Sequence, residues 1–193
     1  MPPLNDLFLR VNDLAVRTPW LHGPAAAYAT YGVVLVAVLV VVAWWIARRR
    51  SSLVMASALL VPVGVLVAFG VQQIVVSLVD EARPYAVHPD ALVLIARTTD
   101  PSFPSDHACV TGAAAAGLFL VDRRLGWTAT LLAVLMAVTR VYVGAHWPLD
   151  VVAGLALGAI VGALTVLTLR RPAARLVDRL RDGALRPLLA TSR

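Results

Sequence analysis

The sequence contains no lysine: all 17 of its basic residues are arginine, set against 11 acidic residues for a formal net charge of +6. Guanidinium groups stay protonated at any pH a cell tolerates, so this charge does not titrate away. A single cysteine, Cys109, excludes an internal disulfide. It lies in an apolar stretch and reads as a small packed residue. Charged side chains make up only 15% of the 193 residues and hydrophobic ones 60%, which excludes an ordinary soluble domain and points to a membrane protein. No Gly/Ser-rich or Pro-rich linker separates the apolar runs. One membrane domain over 1–171 and a basic tail over 172–193 are therefore expected. The arginines sit at the ends of apolar segments and are not interleaved with aromatics, a pattern of membrane topology and not of a nucleic-acid-binding face.

The first two dozen residues carry Asp6, Arg10, Asp13 and Arg17, which interrupt any apolar core of the kind a cleavable signal requires, so none is expected. Leu4, Leu7, Phe8, Val11, Leu14 and Ala15 recur at three- and four-residue intervals. That spacing predicts an amphipathic interfacial helix within 1–24. Five apolar segments follow, at 25–47, 53–79, 104–121, 125–144 and 149–169. The expected fold is all-α: a polytopic helical bundle of about five transmembrane helices. The third segment has a short apolar part and spans only if its helix starts near Pro104. Gly154, Gly158 and Gly162, spaced every fourth residue, predict close helix packing in the last span.

Arg48–Arg50, Arg123–Arg124 and Arg170–Arg171 follow the first, third and fifth segments. Five crossings place all three clusters on one side, which the positive-inside tendency makes the cytoplasm. The amino terminus is then outside and the tail, with Arg175, Arg179, Arg181, Arg186 and Arg193, inside against anionic headgroups. The connections 80–103 and 145–148 share the outer face, and at their edges lie most of the chain's unusual polar groups. Ionisable residues at that level are functional suspects.

His146 and Asp150 in "TRVYVGAHWPLD" (139–150) are four apart and share a helical face if the last helix starts at about Trp147 and Pro148. A carboxylate on one ring nitrogen fixes the tautomer and exposes the other nitrogen's lone pair, as a histidine nucleophile requires. The bland alternative is an interfacial histidine bonded to a helix-capping aspartate. In "PSDHA" (104–108) Ser105 leads into a helix whose free amides can receive an anion, although a plain cap is the competing reading. His107 could protonate a departing oxygen. Arg83 and Arg140 add two permanent cations with planar donor forks. Together these groups fit phosphoryl transfer, which depends on clamping and neutralising phosphate oxygens.

"ARPY" (82–85), "PSDH" and "TRVYVGAHWPLD" together resemble the three signature motifs of the type 2 phosphatidic acid phosphatase superfamily, over roughly 83–154. The resemblance implies that His146 attacks phosphorus, that Asp150 orients it, and that His107 serves as the acid and then the base. It implies that Arg83, Ser105 and Arg140 hold the phosphate, with Asp106, Pro84 and Arg97 as further candidates. Two departures stand out. The lysine that the family commonly places seven residues before its arginine is Val76 here, and Arg97 is one candidate to replace it. Asp106 occupies a position that is commonly glycine; it could orient His107 or cap the helix, with capping slightly favoured.

Within the family, "DPSFPSDHA" with "RVYVGAHWPLDV" looks most like the bacterial undecaprenyl-pyrophosphate phosphatases associated with bacitracin resistance. The implied substrate is a polyprenyl diphosphate cleaved at the outer face of a bacterial plasma membrane, with no metal or other cofactor. Phosphatidate or phosphatidylglycerol phosphate is the alternative substrate. A metal site built on His107, His146 and Asp150 is a different reading, opposed by two nearby arginines that would repel a divalent cation. A non-catalytic lipid carrier or permease is a third. Residues 85–101, with His88 and Asp90, read as either a solvated loop or a lid.

Overall fold

Continuous Val, Ala and Leu runs have no polar face to expose to water, and in lipid every backbone amide must be satisfied within its own segment, so the chain folds as helices. The computed structural model describes residues 2–181, 183 and 186–189. In chain order the helices are α1 (Pro2–Arg17), α2 (His22–Tyr31), α3 (Val33–Ala47), α4 (Ser52–Leu78), α5 (Pro84–Val87), α6 (Asp106–Phe119), α7 (Arg123–Tyr142), α8 (Pro148–Arg181) and α9 (Arg186–Leu189). There is no strand among the described residues. Arg193 and the side chains of Leu4 and Arg186 lie outside the described part.

Helices α4, α7 and α8 are long and apolar enough to cross a bilayer, and α2 with α3 forms a further candidate span bent by 50°. Helix α6 occupies the third predicted segment, but its 14 residues rise only about 21 Å, short of the ~30 Å hydrocarbon thickness. Three to four spans are supported by length and composition, against the expected five. Helix α6 is short because Ser105 and Pro104 stop it at one end and Asp122 caps the next helix at the other, accepting from the Arg124 and Leu125 amides.

The core is built from small residues. Ala56, Ala58, Ala113, Ala114 and Ala129 are buried, while Leu66, Ile74, Leu131, Val152 and Ile160 face outward, as lipid allows. Helix α8 lies on α6 through the predicted glycine series. A Cβ on Gly154 would stand 2.5 Å from the Ser105 carbonyl oxygen, and one on Gly162 2.7 Å from that of Ala113. Backbone-to-backbone contact of this kind holds the start of α6, with its polar motif, against the start of α8.

Helix α1 forms as expected, with Phe8 and Ala15 fully buried and Leu7 and Leu14 exposed. Its buried face includes a polar residue that hydropathy spacing did not pick out. Asn12 donates to the Leu92 carbonyl (2.8 Å) and accepts from the Leu92 amide (3.0 Å), gripping the connection between α4 and α6. Phe8 meets Trp147 edge-on at 5.1 Å, and His88 bonds Asn5 at 2.7 Å. Helix α1 thus braces the loop between α4 and α6.

At the opposite end, Arg50 pairs with Asp122 at 2.9 Å, and Arg181 donates to the Arg50 carbonyl at 3.0 Å and to the Ser52 hydroxyl at 2.9 Å. Helix α8 therefore continues ten residues past the predicted tail boundary, because Val177 packs into the core and Asp178 bonds Ser52.

Candidate active site

The turn between α7 and α8 presents His146. Gly144 adopts φ +79°, a left-handed conformation that L side chains rarely adopt, and a Cβ there would stand 2.5 Å from the Leu92 carbonyl oxygen. Behind it, Pro148 opens α8 and sets Asp150 in the first turn. The imidazole of His146 is 1% exposed. Its Nε2 faces Arg140 Nη2 at 3.2 Å and Arg83 Nη1 at 3.4 Å.

A guanidinium can only donate, so both contacts require a lone pair on Nε2, which places the ring proton on Nδ1. That proton is held in turn: Nδ1 lies 2.9 Å from the Ser102 carbonyl oxygen and 3.3 Å from Asp150 Oδ2. Burial lowers the His146 pKa below the usual imidazole value, the bond to Asp150 works upward, and the two neighbouring guanidinium groups reinforce the lowering. A neutral imidazole with the lone pair on Nε2 is the form a nucleophile needs, and that lone pair reaches a phosphorus once the two guanidinium donors turn to the phosphate oxygens.

Asp150 is fully buried; its Oδ2 accepts from the Trp147 amide at 2.9 Å and from the Ser102 hydroxyl, and its main-chain oxygen accepts from the Ser105 amide at 3.0 Å. Ser105 occupies the position before α6, but its hydroxyl makes no capping bond and is buried without a partner. A buried hydroxyl left without a partner is uncommon in a folded protein. Gln72 on α4 donates to the Pro104 carbonyl at 2.9 Å and steadies the approach to the helix.

Arg83 and Arg140 are 8% and 7% exposed. Arg83 donates to the Ala145 carbonyl (3.2 Å) and the Asp100 carbonyl (2.9 Å), and pairs with the Asp100 carboxylate at 2.6 Å. Burial alone would raise the Asp100 pKa, but bonds from Thr98 and Arg83 hold it below the usual carboxylate range. Arg140 donates to the Ala29 carbonyl at 3.4 Å, and its Nε is buried with no partner. The two arginines border a cavity of about 250 Å³ that is also lined by Thr30, Tyr85, Asp106 and His107.

His107 Nδ1 lies 2.8 Å from Asp106 Oδ1, and the same oxygen accepts from the His107 amide at 2.7 Å. One of the amides expected to receive an anion at the start of α6 is thus already occupied.

His146, His107, Asp150, Arg83, Ser105, Arg140 and Asp106 gather at one end of the bundle, away from the Arg50–Asp122 end. Pro84 is buried and opens α5 directly after Arg83, which fixes the backbone that carries that arginine. Arg97 is not among the groups bordering the cavity; its guanidinium lies 5.5 Å over the Tyr85 ring. Ser102 was missed by sequence reasoning, although it lies inside the motif "DPSFPSDHA", because serine in a loop carries no periodic signal. Asp100 was missed for the same reason.

A family model described as the PAP2 superfamily matches residues 57–173. The chain is 31% identical over 155 residues to the bacitracin transport permease protein BcrC of Bacillus licheniformis, covering 80% of this chain and 75% of that one. It is 39% identical over 87 residues to the undecaprenyl-diphosphatase of Sulfolobus acidocaldarius, covering 45% of this chain but only 42% of that protein. The crystal structure of a transmembrane PAP2 type phosphatidylglycerolphosphate phosphatase from Bacillus subtilis has the same fold. Its TM-score is 0.62 at 19% identity, over 89% of this chain and 88% of that one. With its motifs gathered at one end of the bundle and its family match running from α4 into α8, the chain belongs to the PAP2 superfamily.

Proposed function

We propose that the protein hydrolyses a polyprenyl diphosphate, of the undecaprenyl type, to the monophosphate and phosphate. His146 is the nucleophile. The observation that carries this reading is the pair of contacts at Nε2: two guanidinium groups meet the lone pair of a neutral imidazole whose Nδ1–H is already fixed. A phosphate drawn to Arg83 and Arg140 brings its phosphorus to that lone pair.

In the first step a bond forms from His146 Nε2 to the terminal phosphorus. The bond to the bridging oxygen breaks, and its electrons stay on the departing lipid monophosphate. His107 supplies the proton to that oxygen. In the second step water attacks phosphorus, His107 takes a proton from it, and the N–P bond breaks to release phosphate and restore His146. Arg83 and Arg140 neutralise charge on the non-bridging oxygens throughout, and the Ser105 hydroxyl adds a donor. These fixed cations occupy the place where a divalent metal would act, so the reaction runs without one.

The substrate class is supported by the name of the Sulfolobus relative, an undecaprenyl-diphosphatase, and by the site's place at the helix ends. There a diphosphate meets the protein while its tail stays in lipid. The arginine clusters at the other end support a cytoplasmic location for that end and an outward-facing site in a bacterial plasma membrane. The permease name of the Bacillus relative favours a second reading, a carrier that binds lipid phosphates without cleaving them.

A phosphate-release assay in detergent separates these readings. Undecaprenyl diphosphate, phosphatidate and phosphatidylglycerol phosphate are compared, with chelator present. Undecaprenyl diphosphate is expected to be hydrolysed fastest, and His146→Ala to release nothing at an unchanged folded yield. Binding without release by the unaltered protein would favour the carrier, and preference for a glycerol-based substrate would reassign the tail.

A further inference from the structure

Asp106 stands where the superfamily commonly has glycine, so its carboxylate is not part of the chemistry common to the whole superfamily. We propose that Asp106 is a positioning residue for His107. Its carboxylate holds the Nδ1–H edge of the ring, so that Nε2 is the nitrogen that gives the proton to the leaving oxygen. This rests on His107 acting as the general acid in the reaction above.

The geometry is specific. One oxygen, Oδ1, accepts both from the His107 amide at 2.7 Å and from Nδ1 at 2.8 Å. The backbone bond pins the carboxylate to the first turn of α6, so the ring bond is made to a fixed acceptor. Ser105 already occupies the position before the helix. The groups bordering the same cavity are Arg140 from α7, Tyr85 from α5, and Arg83 and Asp100 from the loop. Arg83 and Arg140 can only donate, and Asp100 is already engaged by Arg83. Asp106 is thus the carboxylate in direct contact with His107, and it is the acceptor that fixes the ring.

As the leaving oxygen departs with its bonding electrons, Nε2 gives up its proton and the ring becomes neutral, keeping Nδ1–H on Asp106. In the second step Nε2 accepts a proton from the attacking water, and the same bond stabilises the cation that forms. A glycine at this position leaves the ring free to turn about its χ angles. An asparagine keeps an acceptor for Nδ1–H but removes the charge.

The test uses the full chain in detergent, with Asp106→Asn and Asp106→Gly assayed for phosphate release from undecaprenyl diphosphate. The glycine variant is expected to lose about tenfold in kcat with KM nearly unchanged, and the asparagine variant, which keeps an acceptor for Nδ1–H, to recover most of that loss. With p-nitrophenyl phosphate, whose leaving group needs no proton, the loss in the glycine variant should shrink. Equal losses for the two leaving groups, or no loss in the glycine variant, would leave Asp106 only a helix-start residue and overturn the proposal. His107→Ala separates the layers. If it turns over undecaprenyl diphosphate like the unaltered protein, the underlying acid–base assignment fails. If it is inactive while Asp106→Gly keeps wild-type kcat, the positioning role alone fails.

Discussion

Replacing Gly154 by alanine adds one methyl group at the point where α8 carries Asp150 past the start of α6. The new Cβ would stand 2.5 Å from the Ser105 carbonyl oxygen, 3.0 Å from Ala108 Cβ and 3.3 Å from the Cys109 amide nitrogen. Ordinary contact begins near 3.4 Å, so the Ser105 carbonyl must give way by roughly 0.9 Å. The neighbouring atoms are backbone and the first carbon of a side chain, with no flexible end to swing aside. Overpacking of this kind costs about 1–3 kcal/mol. The larger effect is on rate, because the Ser105 amide donates to the Asp150 carbonyl at 3.0 Å and the two motifs move apart together. A displacement of ~1 Å in a positioned site costs on the order of 100-fold in turnover.

The assay is phosphate release measured beside thermal unfolding in the same detergent, with Gly23→Ala as the matched change. Nothing lies within 4 Å of a Cβ at Gly23, so that variant should keep both turnover and melting temperature. Wild-type turnover and stability in Gly154→Ala would refute the claim that backbone contact between α6 and α8 sets the site.

The low-pH limb of kcat/KM should fall below the ordinary imidazole range, because a His146 pKa lowered by burial and by two cations keeps the ring neutral to lower pH; activity is lost as pH falls through that value. Arg140→Gln removes one of those cations and should move the limb upward, whatever it does to the amplitude. Ser102→Ala takes the hydroxyl donor from the buried Asp150 carboxylate and should lower kcat about tenfold or more, the effect of ~1–3 kcal/mol from an unsatisfied buried group; wild-type kcat would remove Ser102 from the site. A cysteine placed at Asp90, with Cys109 replaced by alanine, should react with an impermeant reagent on intact cells; reaction only after lysis would reverse the orientation.

The principal chemical groups were legible because lipid makes them conspicuous. Arg83, Ser105, His107, Arg140, His146 and Asp150 interrupt or border apolar runs, where polar side chains are costly and conspicuous, and the helix pair α6 and α7 returns the chain to the end from which it set out, so that Ser102 meets His146. What the sequence concealed lies where periodicity carries no information. The connection 79–105 folds back through single contacts, such as Asn12 to Leu92 and Tyr85 to Thr98, so the approach of Ser102 to His146 and of Asp100 to Arg83 had no pattern to betray it. The length of α6 was overestimated because hydropathy continues through Leu120 and Val121 after the helix has ended. The end of α8 was underestimated because arginine is a good helix former, and the run beyond Arg171 reads as a tail until Val177 and Arg181 are seen docked. For Asp106 the sequence slightly favours the helix start, and its carboxylate takes both that amide and the ring of its neighbour.

The central claim is a covalent bond between phosphorus and one imidazole nitrogen. Rapid quenching at alkaline pH after mixing the full chain with terminally labelled undecaprenyl diphosphate, followed by peptide mass spectrometry, tests it most directly. The label should be on His146 and be lost on acid treatment, and in His107→Ala it should accumulate when labelled p-nitrophenyl phosphate, whose leaving group needs no proton, is the substrate. Label on any other residue, or steady turnover by His146→Ala, would contradict it.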